Sequence, residues 1–188
     1  MNIRGRHVLL RAVEDSDLDL LHAWANDPDL WHGLGGWHMP TSRAETRAWI
    51  ADGASDPLNR RFAVTRADDG TLLGTANLMD LDWKNRHAFH GMMLGAPGAR
   101  GQGFGTDTVM AVMRYVFDEL GLERLDGAII EYNQASKRTY LGRCGWREEG
   151  RQRRWYFRAG RWWDRLLVGV TREDHAAHLA TTRYSDFA

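Results

Sequence analysis

The chain has 188 residues, which is enough for one domain over 1–188 with a buried core and too few for two comfortable ones. Its 25 basic and 25 acidic side chains cancel, so net charge favours neither nucleic acid nor a membrane as the main partner, and no apolar run approaches the roughly 20 residues that span a bilayer. The single cysteine, Cys144, excludes an internal disulfide and a multi-cysteine metal site, so we predict a soluble cytoplasmic protein without a metal.

The first half of the chain predicts three later strands preceded by a short strand and two helices. A strand over 7–11 leads to Asp15-Ser16-Asp17, whose side chains favour a helix start, and apolar residues at helical spacing continue to about residue 25. The segment 29–40 is irregular, contains glycine and tryptophan, and indicates a binding loop before a second helix that ends near residue 53. Strands over 61–65 and 71–79 form a hairpin, and a third strand covers 87–94.

The second half of the chain predicts a crossover and a final pair of strands. A long helix over 104–120 has apolar residues at helical spacing, and Gly121 ends it. A strand over 124–131 and a helix over 134–143 follow, and two strands over about 146–157 and 161–170 complete the chain. This order predicts an α+β domain, whose sheet is mostly antiparallel with one strand–helix–strand crossover.

The segment 92–106 joins an apolar strand, a glycine-rich turn and the first turn of the long helix. Glycines at 101, 103 and 105 let the backbone approach a ligand, and a helix start presents unpaired N–H groups with a partial positive charge. A diphosphate is the natural occupant, and Arg100 and Thr106 would add donors. The alternative is a tight turn that needs its glycines for shape alone.

Two other phosphate-binding loops fit this segment poorly. A P-loop closes with lysine followed by serine or threonine, whereas Gly103 is followed by Phe104-Gly105-Thr106. A dinucleotide fingerprint follows the first strand of a parallel unit, whereas several predicted strands without intervening helices precede this loop.

With these motifs in this order, the sequence resembles the GNAT acetyltransferases, and within them the branch of the ribosomal-protein N-terminal acetyltransferases, over nearly the whole chain. The run Arg100-Gly101-Gln102-Gly103-Phe104-Gly105 matches the R/Q-x-x-G-x-G/A pattern of the family. Residues 115–122 are similar to the end of its long helix, and Asn133 to Tyr140 with Gly145-Trp146 are similar to its asparagine-to-tyrosine helix and the strand after it. Asp164 stands where this branch often has an aspartate.

The resemblance implies a GNAT-type splayed, mixed and mostly antiparallel sheet flanked by helices, with acetyl-CoA held as co-substrate in a V-shaped opening. Backbone groups of 92–94 would pair with the pantetheine arm like an added strand, and Asn133 would bind near its thiol end. Lys137 or Arg138 would meet the nucleotide phosphate, although either could equally belong to a solvated face. The cofactor-binding candidates are Met92, Met93, Leu94, Arg100, Gly101, Gln102, Gly103, Phe104, Gly105, Thr106, Asn133, Ser136 and Arg138.

Acyl transfer to an amine requires a neutral nitrogen, stabilisation of the developing oxyanion and a proton for the departing thiolate. The resemblance implies Tyr140 as general acid, with a packed core aromatic as the alternative. The base is less defined, because a glutamate of the relatives is replaced in the stretch Ala88-Phe89-His90-Gly91. His90, Glu131 and Asp164 are the candidate bases, and proton loss to ordered water is the alternative.

Aromatic side chains in two segments predict the acceptor pocket: Trp31 and Trp37 in the first loop, and Trp155 and Trp162 near the final turn. The final hairpin is also rich in arginine and could stack RNA bases, but outward arginines and inward rings explain it without RNA. We expect a small-molecule amine or a protein N-terminus as acceptor, and no membrane partner. Exposed tryptophans would also fit the surface of a homodimer. A transferase that uses aminoacyl-tRNA and a non-catalytic coenzyme A sensor remain as alternatives.

Overall fold

Eight strands form one sheet in the computed structural model, which describes residues 2–36, 39–182 and 184. Every neighbouring pair is antiparallel except β5 and β6, which are parallel, and the sheet order is β1-β2-β3-β4-β5-β6-β8-β7. The predicted α+β class with a mostly antiparallel sheet is confirmed. The strands are β1 (Ile3–Arg4), β2 (Val8–Ala12), β3 (Arg60–Arg66), β4 (Leu72–Asp82), β5 (His87–Leu94), β6 (Arg124–Ile130), β7 (Arg147–Arg158) and β8 (Arg161–Thr171).

Six α-helices flank the sheet in the described part of the chain: α1 (Leu18–Ala25), α2 (Pro28–Trp31), α3 (Arg43–Ser55), α4 (Phe104–Arg114), α5 (Gln134–Arg143) and α6 (Arg172–Thr181). Helix α3 begins with a reciprocal cap, because the Ser42 side chain accepts from the Glu45 N–H and the Glu45 carboxylate accepts from the Ser42 N–H. The predicted helix start at Thr41 or Ser42 is therefore confirmed, with Ser42 as its cap.

The main core lies between the sheet and α4. The α4 side chains Val109, Ala111, Val112 and Met113 have no exposed surface, which confirms the apolar stripe predicted for this helix. Burial of such side chains contributes about 1.5–3 kcal/mol each relative to exposure. A smaller cluster joins α1, α2 and α3 to the sheet through Leu18, Leu21, Trp24, Leu30, Ile50, Ala63 and Leu72.

Four features differ from the sequence-based elements. The helix predicted over 104–120 is α-helical only to Arg114, and a π-helical turn over 115–119 continues it, with the Leu120 N–H bonded to the Tyr115 carbonyl. Strand β1 and helix α2 were missed because two and four residues carry no periodicity. Helix α6 was missed because Thr171, the last residue of β8, is also its cap, so no loop separates the two elements.

Strands β5 and β6 separate soon after they meet. Their pairing covers only His87↔Arg124 to Phe89↔Asp126; farther along, β5 pairs with β4 alone and β6 with β8 alone. A V-shaped opening therefore lies between residues 90–94 and 127–130, and the backbone edges that face it have no strand partner in the described chain. A Cβ atom at Gly127 would lie 3.1 Å from the Trp146 ring, so a larger residue beside the apex would require the neighbouring side chains to shift slightly.

Asp107, in the first turn of α4, ties the N-terminal strands to this helix. Its carboxylate accepts hydrogen bonds of 2.7–3.0 Å from the successive backbone N–H groups of residues 6–8, and a further bond from the Tyr184 hydroxyl. A Cβ atom at Gly5 would lie 2.6 Å from the Asp107 Oδ2 atom, so the tight turn depends on this glycine. The start of α4 is thereby fixed against the sheet.

Candidate active site

The V-shaped opening leads into two cavities that share part of their lining. The cradle cavity, of about 370 Å³, lies around the starts of α4 and α5, and the deep cavity, of about 790 Å³, lies between the parted strands, α3 and the final hairpin. Both volumes fall within or near the range of small-ligand sites. The residues common to both cavities are Gly33, Leu34, Met92, Met93, Asn133 and Ser136.

The loop before α4 lines the cradle cavity with unpaired backbone donors. Gly101 and Gly103 have φ angles of 81° and 88°, in the left-handed region that favours glycine, and Gly103 is the N-cap of α4 without a side-chain cap. The first N–H bonded within the helix is that of Asp107, to the Gly103 carbonyl, so the N–H groups of 104–106 have no backbone partner among the described residues. Such a row of donors at a helix start is suited to an anion.

Charged and hydroxyl side chains complete the cradle cavity. Arg100 and Thr106 line it as predicted, and Arg143 at the end of α5 also lines it. We did not predict Arg143, although a cation in the last turn of a helix that starts at the site was a usable signal. Two cations beside a row of free N–H groups fit a diphosphate.

Most of the predicted cofactor-binding residues lie in this cavity. Gln102, Phe104 and Arg138 do not line it: Gln102 Nε2 donates to the Gly98 carbonyl at 2.7 Å, Phe104 is buried in the core, and Arg138 is exposed on α5. The ones that line it are Met92, Met93, Leu94, Arg100, Gly101, Gly103, Gly105, Thr106, Asn133 and Ser136.

The side chain of Asn133 is engaged at both ends. Its Oδ1 accepts from the Ser136 N–H at 3.0 Å and caps α5, and its Nδ2 donates to the Gly33 carbonyl at 2.9 Å. The neighbouring Tyr132 donates its hydroxyl to the His32 carbonyl and stacks on the His32 ring at 4.5 Å. The loop after α2 is thus tied across the opening to the turn between β6 and α5. A pantetheine contact of the Asn133 side chain, which stays a prediction, would use its second Nδ2 hydrogen or its second Oδ1 lone pair.

Tyr140 and His90 meet at the wall of the deep cavity, with ring centroids 5.9 Å apart. The Tyr140 side chain is 6% exposed, and its hydroxyl has no hydrogen-bond partner among the described residues. Burial raises the pKa of Tyr140 well above the ordinary value for a phenol, so the hydroxyl stays protonated. It is therefore available as a donor to a group in the cavity.

His90 is buried with one ring nitrogen paired. Its Nδ1 lies 2.9 Å from the Asn77 carbonyl oxygen, which can only accept, so Nδ1 carries the proton and the Nε2 lone pair is left without a partner in the described chain. Burial lowers the pKa of His90 to about 4. At neutral pH this imidazole is uncharged and a weak base towards an ammonium group.

The buried histidines should make the fold sensitive to mild acid. His175, like His90, is buried, and burial lowers its pKa from the ordinary 6.5 of histidine to about 4. Because the unfolded chain takes up these protons first, the free energy of unfolding should fall as pH decreases from 6.5 towards 4, by about 1.4 kcal/mol per pH unit for each histidine. Urea unfolding at pH 7.5, 6.5, 5.5 and 4.5 measures this slope, and His175→Phe should reduce it. Equal stability at about pH 7 and pH 5 would contradict the prediction.

Glu131 and Asp164 lie outside both cavities. The Glu131 Oε2 accepts from the Asp164 N–H at 2.9 Å, and Oε1 lies 3.6 Å from Arg151. The Asp164 Oδ1 accepts from the Arg154 N–H at 2.9 Å. That bond stabilises an irregular part of β7, where Arg154 has a φ of 56°. The structure thus joins these carboxylates to the hairpin and does not bring them to Tyr140.

Of the predicted acceptor-site tryptophans that the structure describes, Trp155 alone lines the deep cavity. The Trp31 Nε1 donates to the Ala25 carbonyl at 2.6 Å, and Trp162, which is 48% exposed, packs against Phe157 outside both cavities. Trp37 lies outside the described residues. Sequence reasoning did not identify other large side chains of this wall, namely Trp49, Phe89, Tyr156 and Arg165.

No group of three or more histidine, cysteine, aspartate or glutamate side chains among the described residues could hold a metal ion. No helix in the described ranges is long and apolar enough to cross a membrane.

Comparison with known proteins identifies the family. The family model described as "Acetyltransferase (GNAT) domain" matches residues 7–147. The uncharacterised Bacillus subtilis N-acetyltransferases YokL and YoaA are 26% and 24% identical to the chain, covering 90% and 88% of it and 93% of each relative.

The fold is also similar to solved structures. The spermidine N-acetyltransferase of Vibrio cholerae, solved in complex with CoA and spermine, superposes with a TM-score of 0.81 at 24% identity, over 90% of this chain and 98% of that one. A GNAT-family acetyltransferase of Bacillus anthracis superposes with a TM-score of 0.78 at 21% identity, over 92% and 99%. These likenesses bear on the fold, and the family match bears on the chemistry: the chain belongs to the GNAT family and is, as predicted, an N-acetyltransferase.

Proposed function

We propose that the protein transfers an acetyl group from acetyl-CoA to the primary amine of a small molecule. One observation carries the proposal: the two cavities share part of their lining. The cradle cavity contains the N–H groups at the start of α4 that have no backbone partner in the described chain, and the deep cavity contains Tyr140. A diphosphate-bearing donor and a separate acceptor can therefore occupy connected spaces. The proposal treats residues 1–188 as one catalytic domain in the cytoplasm.

The chain offers each part of acetyl-CoA a matching group. The N–H groups of 104–106, with Arg100 and Arg143, would bind the diphosphate, and the free edge of β5 at 92–94 would pair with the amides of the pantetheine arm. Acetyl-CoA supplies an activated thioester, whose carbonyl carbon the amine attacks. The nitrogen loses a proton, the carbon–sulfur bond breaks, and the sulfur gains a proton.

We assign the proton donor role to Tyr140. Its hydroxyl is protonated, has no competing hydrogen bond from the residues that the structure describes, and lies in the wall of the cavity. A phenol with a raised pKa acts first as a hydrogen-bond donor to the leaving sulfur and gives up its proton as charge develops there. This donor would stabilise negative charge where an apolar wall alone would oppose it.

Deprotonation of the amine does not require a dedicated side chain in this proposal. A His90 with a pKa of about 4 is poorly matched to an ammonium group, and Glu131 lies outside both cavities. We propose that the amine loses its proton to solvent through the open mouth of the deep cavity before it reaches the thioester. His90 then serves to keep the wall around Tyr140 uncharged.

The other acceptors and donors considered from the sequence have less support. A protein N-terminus, as in the ribosomal-protein branch, remains a second acceptor class, and the names of the similar structures favour a small amine. For an aminoacyl-tRNA donor, binding of charged tRNA without binding of acetyl-CoA would be decisive. Release of free thiol from acetyl-CoA across a panel of amines, with product mass, tests the proposed transfer; no release despite coenzyme binding would favour a sensor.

The cradle can be tested through matched glycine variants. Gly103→Ala places a side chain at a φ of 88°, so the loop must shift, and its N–H groups no longer point at the diphosphate. We expect the Kd for acetyl-CoA, measured by titration calorimetry, to rise about tenfold or more, because a bond to a charged group contributes about 1.5–3 kcal/mol. Gly70→Ala is the control, since Gly70 has a φ of 74° in a distant turn between β3 and β4. Equal affinity of the two variants would contradict the assignment.

A further inference from the structure

The deep cavity is lined by an arginine that forms no ion pair within the described part of the chain. From this and from the rings around it, we infer that the acceptor carries a carboxylate beside its amine, on an apolar or aromatic body, and that Arg165 pairs with that carboxylate. Aromatic α-amino acids are the simplest members of this class. The inference rests on the proposed function, because it concerns the acceptor of that same reaction.

Arg165 lies among aromatic side chains in the deep cavity. Its guanidinium lies 4.9 Å from the Trp155 ring centroid and 6.0 Å from that of Phe89, and all three side chains line the deep cavity. Its Nε is buried without a hydrogen-bond partner, and its Nη1 has only a long contact of 3.5 Å to Gln152. The guanidinium thus lies near two rings, and most of its donors have no partner among the described residues.

Arg165 differs from Arg151, on the neighbouring strand β7, in its charged neighbours. Arg151 has carboxylates of Glu131, Glu148 and Asp164 within 3.3–3.9 Å, whereas no carboxylate of the described chain forms an ion pair with Arg165. Arg151 is thus neutralised outside the deep cavity, whereas Arg165, the arginine in the cavity lining, forms no ion pair with a carboxylate of the described residues. A partly buried cation is costly without an anion, and a substrate carboxylate can form two parallel bonds with it.

The lining of the deep cavity carries little negative charge. Glu45 is the one acidic residue among those that line the deep cavity, and its carboxylate is already used by the Ser42 N–H in the cap of α3. A polycation such as spermine would therefore meet the Arg165 cation and a single carboxylate, one oxygen of which already accepts from the Ser42 N–H. The acceptor class should differ from that of the spermidine N-acetyltransferase with the similar fold.

The remaining wall of the deep cavity is mainly aromatic and aliphatic. Trp49, Phe89, Trp155 and Tyr156 surround the deep cavity with ring faces and edges, and aliphatic side chains fill the gaps between them. Rings of this kind bind apolar and aromatic groups by burial and offset stacking. An aromatic amino acid offers an amine for transfer, a carboxylate for Arg165 and a ring for this wall.

The test compares substrates that differ in the carboxylate. Turnover of acetyl-CoA is measured with phenylalanine, phenethylamine and spermidine for the native protein and for Arg165→Met. We expect phenylalanine to be the best of the three, and Arg165→Met to lower kcat/KM for it by about 10- to 100-fold, as for loss of a charged hydrogen-bonded pair. The same change should alter kcat/KM for phenethylamine by less than about threefold.

Two further variants keep the result interpretable. Arg161→Met is the matched control, because Arg161 stacks on Trp163 at 3.4 Å on the same strand and lines neither cavity, so both substrates should be unaffected. Arg165→Lys keeps the charge and should recover part of the loss, whether or not the methionine variant folds. Preference for spermidine or phenethylamine, or an equal loss on both substrates, would overturn the inference, as would no turnover of phenylalanine with acetyl-CoA bound. Failure of acetyl-CoA to bind would instead overturn the proposed function.

Discussion

Tyr140→Phe is expected to lower kcat by about 100- to 10,000-fold, the range found when a positioned proton donor is removed. The change deletes one oxygen from a side chain that is otherwise packed against His90 and Trp146, so the fold should persist. Because the hydroxyl makes no hydrogen bond in the described protein, its loss leaves no buried partner unsatisfied. The effect should therefore appear in turnover and not in stability.

The measurement is single-turnover acetyl transfer, together with calorimetric titration of acetyl-CoA. We expect the Kd for acetyl-CoA to change less than about twofold, since the Tyr140 hydroxyl donates only as charge forms on the sulfur. Tyr115→Phe is the control: Tyr115 packs edge-on against Phe62 at 6.4 Å and lines neither cavity. Full turnover in Tyr140→Phe would remove this residue from the proton-donor role.

Asp107→Ala is expected to lower the free energy of unfolding by about 3–5 kcal/mol, the usual cost of breaking a buried hydrogen-bonded carboxylate site. Three backbone N–H groups over 6–8 and the Tyr184 hydroxyl would lose their acceptor together. The turn at Gly5, built closely around this carboxylate, would lose its anchor. Because Asp107 also belongs to the first turn of α4, acetyl-CoA affinity should fall as well.

Urea unfolding followed by circular dichroism measures this loss. Asp107→Asn keeps one acceptor oxygen and should be intermediate between the native protein and the alanine variant. Glu119→Ala removes an exposed carboxylate near the end of the same helical segment and should change stability by no more than about 0.5 kcal/mol. A loss below about 1 kcal/mol in Asp107→Ala would mean that solvent replaces the carboxylate, against its burial in the structure.

The parts of the fold predicted best are those whose signals are local. The bounds of β5 and α5 were predicted to the residue, because a turn, a cap and an end residue flank each of them. The anion cradle was also predictable, since the order of strand, glycine-rich turn and helix places N–H groups by itself. In such segments, neighbours in sequence are also the determinants of structure.

The parts of the site that were missed depend on contacts between distant residues. Trp31 was a reasonable candidate by residue type, but its bond to the Ala25 carbonyl goes with a position outside both cavities. His90 does line the deep cavity, but burial beside Asn77 lowers the pKa of its ring to about 4. Arg165 was one of many arginines in the final hairpin until β7 and β8 came together and left it alone among rings. Nothing in the local sequence distinguishes it from Arg161, which lies outside the cavities.

The buried thiol of Cys144 has a consequence for the route of the acetyl group. Burial raises its pKa to about 12, and its Sγ faces the Thr106 carbonyl oxygen at 3.8 Å within the core. Neither cavity includes Cys144 in its lining, so it cannot serve as a temporary carrier. The proposed function therefore needs no acetylated enzyme intermediate. The acetyl group would be transferred in one step from a donor in the cradle cavity to an acceptor in the deep cavity.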